Sequence, residues 1–336
     1  MIALAVLASG CEKSTELNES VDRVSLASTT ADASQSVIVK TIAGEPDFWY
    51  AEGIAGGPDG SIYVVESDPS NPKVKKISCT GVITTLYQDN RETADLLDKI
   101  AVNKNGEIFV TSNGTFFGIY KIANGKATVL AGSNSNSAPF TDGIGSQARF
   151  AHINGIVVGP DDNLYVVDGS PNNRIRKITK DGVVTTIAGP GPYITLTIKK
   201  DGTIYTLESV YDSKTQTRGH AIRKISNGVV STIAIGNEGH LDGKSPNVKF
   251  GRVMDLTIAD DGNIYIAEDD DGRIRKVTED GVVTTIAGGE SEILGESKDG
   301  SGLDARFFAL RSIRFHQGSL YTSEWGRKNI RKIDFK

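Results

Sequence analysis

A short unit, a turn followed by a strand that ends in an aromatic residue, recurs six times along the 336-residue chain. It reads GSIY at 60–63, GEIF at 106–109, DNLY at 162–165, GTIY at 202–205, GNIY at 262–265 and GSLY at 318–321. From Tyr63 to Tyr321 is 258 residues over five steps, a mean period of roughly 52. Self-similarity at such a period specifies a closed or stacked array, because one unit cannot bury its apolar surface alone.

Each copy carries four strand-like segments. The first precedes the turn, at 54–57, 100–103, 156–159, 196–199, 256–259 and 312–315, and the second is the aromatic-ended segment. The third is basic and alternating: KVKKI at 73–77, GIYKI at 118–122, RIRKI at 174–178, AIRKI at 221–225, RIRKV at 273–277 and NIRKI at 329–333. The fourth is rich in β-branched residues and starts at Val82, Lys126, Val183, Val229 and Val282. Asp59-Gly60, Asn105-Gly106, Asp201-Gly202 and Asp261-Gly262 supply the residue pairs that two-residue hairpins demand. No window has the 3.6-residue apolar period of a long helix. The sixth copy stops after its third strand, and residues 37–44 (VIVKTIAG) match the missing fourth. An N-terminal strand that completes the last blade closes a ring and removes exposed sheet edges. The expectation is an all-β, six-bladed β-propeller of four-stranded antiparallel blades over 37–336.

The run DGIGSQARF at 142–150, NGIVVGPDDNLYVVD from Asn154, RIRKI from Arg174 and DGVVTTIAG from Asp181 resembles the NHL repeat family. DGSGLDARF at 299–307 repeats the first segment closely and DGKSPNVKF at 242–250 loosely. The resemblance covers about 300 residues and implies the propeller fold, but little about activity, since NHL propellers include scaffolds, RNA binders and lyases.

Upstream of the repeats, residues 7–11 (LASGC) are similar to a bacterial lipobox, which implies a lipoprotein signal over 1–11 and a lipidated Cys11. With Cys11 lipidated, Cys79 is expected to be an unpartnered thiol, since the chain has two cysteines. Residues 12–36 are Ser, Thr, Glu, Asp and Asn with scattered single apolars, and read as a solvated tether. The location expected is therefore the bacterial cell envelope, on the periplasm-facing or outer surface, and the membrane is a partner through lipid. Lys and Arg total 37 against 42 Asp and Glu, with no basic run, which argues against nucleic acid as a partner. A monomer is expected.

Loops at one end of a propeller gather around its channel, and ligands bind there. Two residues before the apolar residue of the first strand stand Glu52, Asp98 and Asn154 in the first three copies. Ile194, Met254 and Leu310 are taken as their equivalents in the last three. Three oxygen-bearing side chains on adjacent blades suit Ca²⁺, which takes 6–8 oxygen ligands. Glu52-Gly53-Ile54 and Asn154-Gly155-Ile156 are similar to the metal-binding positions of gluconolactonase-class lactonases. That resemblance implies a Ca²⁺-dependent lactonase or lyase, with a rim acid such as Asp168 or Glu208 as base.

Three places after the aromatic stand Glu66, Asp168, Glu208, Glu268 and Glu324, with Ser112 the exception. The local reading is a carboxylate that accepts backbone N–H bonds or pairs with Arg. Every third strand has Lys in fourth place (Lys76, Lys121, Lys177, Lys224, Lys276, Lys332), and four have Arg before it, at Arg176, Arg223, Arg275 and Arg331. Alternation sends the two to opposite faces, so no face collects the whole charge. In the ARF-type loops Phe150, Phe250 and Phe307 are expected to plug seams between blades. Arg149, Lys249 and Arg306 are expected to bridge to carboxylates, and a large ligand is expected to touch these loops. His152, His220 and His240 fall on the loop face without spacing that sets a zinc site, and His316 reads as plain surface. The leading functional reading is a lipid-anchored binding or scaffold module for a protein or glycan at the inter-blade loop face. The alternative is the metal enzyme.

Overall fold

The protein is described by a computed structural model over residues 36–89, 96–134, 140–213, 215–291, 293 and 295–336. Its alternating segments form six antiparallel blades, and in the first five the four long strands run outward in chain order. The innermost strands are Ala51–Gly56, Leu97–Val102, Ile153–Val158, Tyr193–Ile198, Val253–Ile258 and Leu310–His316. Each of them touches the next, and the sixth touches the first, so they enclose a channel. Closure is as expected: Val37–Ala43 lies outermost in the last blade, antiparallel to Asn329–Phe335, with Val39 opposite Ile333 and Thr41 opposite Arg331. Two apolar faces per blade leave six seams, and each seam holds its own buried cluster. Phe150, for example, is buried with Phe109 and Ile119 of the second blade and Ile153 and Val166 of the third, the plugging role expected of it.

The acid and arginine rows meet inside the blades. Arg176, Arg275 and Arg331 are almost fully buried. They pair with Asp168 at 2.9 Å, Glu268 at 2.9 Å and Glu324 at 3.1 Å on the neighbouring strand. A second carboxylate, from the loop entering the blade, completes each clamp: Asp142 at 2.9 Å, Asp242 at 2.7 Å and Asp299 at 2.8 Å. The rings of Phe150, Phe250 and Phe307 lie against the three guanidiniums, at 4.5, 5.9 and 5.0 Å. The loop aspartates also accept the N–H and hydroxyl of a fourth-strand threonine, Thr186, Thr285 or Thr41. In the first blade Lys75 and Glu66 replace the pair, at 3.1 Å, with Phe48 over the ammonium. The second blade has Ser112 in the acid row and Tyr120 in the arginine row, so acid and base are absent together.

The acids also accept backbone N–H groups as expected, from Trp49, Ala151 and Phe308. The lysines of the same strands face other partners, such as Lys177 to Asp161 at 2.7 Å and Lys332 to Asp334 at 2.9 Å. Three expectations are corrected. Arg149 and Arg306 donate to carbonyls of their own loops, Ser146 at 2.6 Å and Ala305 at 2.7 Å, and not to carboxylates, because the strand arginines already hold those. His316 is partly buried at the end of its inner strand, where it lines the channel with Phe315 and Arg314. Cys79 is disulfide-bonded, not a lone thiol. Cys11, and the signal and tether over 1–35, lie outside the described residues.

Candidate functional site

One irregularity repeats at the start of every inner strand. Pairing with the second strand slips between Ala51 and Gly53, Leu97 and Ile100, Ile153 and Gly155, Tyr193 and Thr195, Val253 and Asp255, and Leu310 and Ser312. Such a bulge leaves a residue out of the ladder and re-aims its side chain. The residues left out are Glu52, Asn154, Ile194, Met254 and Arg311, with both Asp98 and Lys99 in the second blade. The sixth equivalent of Glu52 is therefore Arg311. Leu310 instead pairs with Glu324 as Ala51 pairs with Glu66, and it is fully buried. Inner strands approach closely here. A Cβ on Gly53 would come within 2.8 Å of the Asp98 carbonyl oxygen and 3.1 Å of Lys99 Cα.

Above these bulges, at the loop end, lies a cavity of 440 Å³. Three rows of equivalent positions build it. Tyr50, Leu96 and His152 come from the position before the inner strand, Glu52 and Asp98 from the bulge, and Ser67, Asn113 and Trp325 from the position after the acid row. Tyr50 stacks on Trp325 with centroids 5.3 Å apart and planes at 30°, yet Trp325 remains 40% exposed. The Arg311 guanidinium covers the indole at 5.4 Å.

The electrostatics are balanced. Lys99 Nζ lies 2.8 Å from Asp98 and 3.7 Å from Glu52, and Arg311 Nε lies 3.9 Å from Glu52. Burial works against the Lys99 charge, but the carboxylates of Asp98 and Glu52 outweigh it and hold the ammonium above its ordinary pKa. Burial, with Asp98 adding to it, pushes the Glu52 carboxyl upward despite both cations. Asn113 Nδ2 donates to Asp98 and to the Ile153 carbonyl, and its Oδ1 accepts the Ile153 N–H, so this amide is fully engaged. Among the described residues Glu52 accepts no hydrogen bond within 3.5 Å.

Of the residues singled out for metal, Glu52 and Asp98 come together. Asn154 is turned elsewhere, with its amide against Gly169. The place between the two carboxylates holds the Lys99 ammonium. Among the described residues no group of three His, Cys, Asp or Glu side chains stands where it could hold a metal ion. Asp168 faces Arg176 and Glu208 faces Arg223 at 3.0 Å, and neither lines the cavity. His152 lines it, whereas His240 sits among Glu268, Asp270 and Asp271. Arg149, Phe150, Lys249, Phe250, Arg306 and Phe307 of the ARF-type loops stand apart from it. Sequence reasoning passed over Tyr50 and Trp325. One signal was available: after the acid row come Ser67, Asn113, Gly169, Ser209, Asp269 and Trp325, and the last is the sole aromatic.

The NHL repeat model matches residues 150–178, the inner strand, turn and RIRKI segment of the third blade. The chain is a six-bladed propeller whose third blade carries an NHL repeat. Zebrafish (Danio rerio) teneurin-3 is 24% identical to this chain over 328 residues, which is 83% of the chain but 12% of teneurin-3. An auxiliary nutrient binding protein from Bacteroides thetaiotaomicron superposes with a TM-score of 0.62 at 15% identity, over 89% of this chain and 76% of that one. A streptogramin B lyase superposes at 0.60 with 16% identity, over 91% of this chain and all of that one. At such identities these likenesses concern the propeller fold alone.

Proposed function

We propose that this chain is an extracytoplasmic, lipid-anchored NHL propeller that binds a protein or glycan at its loop face. The carrying observation is the Tyr50–Trp325 pair, an exposed aromatic wall in a 440 Å³ cavity at the channel mouth. Concave sites with apolar walls and a few convergent polar groups are where propellers take ligands. Ser67→Trp tests it by filling the cavity from the first blade. Envelope glycans or proteins held by immobilised wild type are expected to pass over the variant at unchanged Tm, and equal retention overturns the reading.

The anchor rests on the LASGC segment at 7–11. A lipidated Cys11 carries a thioether sulfur, so this part of the reading requires Cys79 to titrate as a thiol in the mature protein. Detergent-phase partitioning that Cys11→Ala abolishes, with one titratable thiol, is the expected result. Aqueous partitioning with Cys79 still in a disulfide overturns it.

A second reading has one observation in its favour, the convergence of Glu52 and Asp98. Ca²⁺ held there with Asn154 would supply Lewis-acid polarisation of a carbonyl. That requires Lys99 to leave its place between the carboxylates, and a base other than the clamped Asp168 and Glu208. A Tm raised by Ca²⁺ over EDTA, and no longer raised in Glu52→Gln, favours the metal enzyme. An unchanged Tm favours the binding module.

A further inference from the structure

We infer that the cavity takes a neutral, hydroxyl-bearing sugar ring laid against Tyr50 and Trp325. This rests on the loop-face binding reading and narrows its ligand. Charge decides the class. The cavity and its floor carry two carboxylates, Glu52 and Asp98, and two cations, Lys99 and Arg311, within 3.9 Å of them. An anionic ligand meets Glu52 and Asp98, and a cationic ligand meets charges that are already balanced. Arg311 also occupies the cation position over the Trp325 ring, which removes the main attraction an aromatic wall has for an ammonium.

A neutral ring with one apolar C–H face and a rim of hydroxyls meets no such conflict. Its C–H face covers indole and phenol surface that water now wets. Its hydroxyls find acceptors in Glu52, whose carboxylate oxygens stand 3.7 and 3.9 Å from the Lys99 and Arg311 nitrogens, and a partner in the exposed His152 ring. A carboxylate accepts from hydroxyls through two oxygens, in bonds stronger than neutral ones. The dimensions agree: 440 Å³ suits a ring-sized ligand with bridging water, the terminus of a glycan and not its length.

The test is a titration at pH 7.5, followed by calorimetry and saturation-transfer NMR. The probes are glucose, galactose, mannose and N-acetylglucosamine, against glucuronate, glucosamine and tetramethylammonium. At least one neutral sugar is expected to bind at millimolar or better affinity, about tenfold more weakly in Trp325→Ala. Binding is expected to weaken also in Glu52→Gln and to be unchanged in Trp49→Ala, which removes an exposed indole outside the cavity. Circular dichroism and Tm establish that each variant is folded. Tighter binding of glucuronate or tetramethylammonium than of every neutral sugar overturns the inference. So does neutral-sugar binding that Trp325→Ala leaves intact, or no sugar binding at tens of millimolar. In the last case, a protein ligand still excluded by Ser67→Trp preserves the loop-face module without its sugar. If Ser67→Trp excludes nothing, both readings fall.

Discussion

The guanidinium of Arg275 is fully buried, and each of its three nitrogens is met. Glu268 takes Nη1 twice, at 2.9 and 3.1 Å, Asp242 takes Nε at 3.1 Å, and the Leu241 carbonyl takes Nη2 at 3.1 Å. Arg275→Met leaves a buried carboxylate without its cation, so urea unfolding is expected to show a loss of about 3–5 kcal/mol. The same chemistry explains why Ser112 and Tyr120 occur together, since either an acid or an arginine alone in that blade would be an uncompensated charge. His240 tests pH. Its hydrogen bond to Glu268 raises its pKa, against burial and with help from Asp270 and Asp271. A raised folded pKa means stability that is fully present below the unfolded value of about 6.5 and is lost as pH rises through the folded one. His240→Gln is therefore expected to lower Tm at pH 6, and by less at pH 9. The partly exposed ring limits the effect to about 1 kcal/mol. His220 works the other way: burial lowers its pKa, so its contribution declines as pH falls below the ordinary histidine value.

At the scale of strands and loops, the inner-strand bulge converts a repeated fold into an unrepeated site. It turns out Glu52 and Asp98 on one side of the mouth and Ile194 and Met254 on the other. The geometry depends on close strand approach. Gly53→Ala would set a methyl 2.8 Å from the Asp98 carbonyl, and a cost of about 1–3 kcal/mol is expected, read as a lower Tm. Periodicity made the strands, their order, the seam phenylalanines and the pairing of acid with arginine legible beforehand. It failed where the period is interrupted. A bulge adds a residue without a sequence mark, which is how Leu310 stood in for Arg311. Tyr50 and Trp325 were unreadable for a related reason: their rows lie outside the strands, and only the ring's curvature brings the sixth blade beside the first. Lys99 was hidden because the second blade leaves two residues out of its ladder where the others leave one.

For the molecule as a ring, closure repeats a blade's own chemistry. Asp299 bonds Thr41 N–H and Oγ1 at 2.8 Å across 258 residues, as Asp142 and Asp242 bond Thr186 and Thr285 within their blades. Deleting 37–43 is expected to expose the Asn329–Phe335 edge and to give self-association on size exclusion. A permutant that joins Lys336 to Ser36 and opens the 180–181 turn is expected to keep the Tm within a few degrees, because Lys336 N–H already donates to the Ser36 carbonyl at 2.9 Å. That contact also fixes direction. Val37 pairs with Phe335, beyond the lower end of the channel that His316 lines, whereas Trp325 and Tyr50 stand at the upper end. Ser36 therefore lies on the underside of the ring, with the Tyr50–Trp325 wall at the opposite end of the channel.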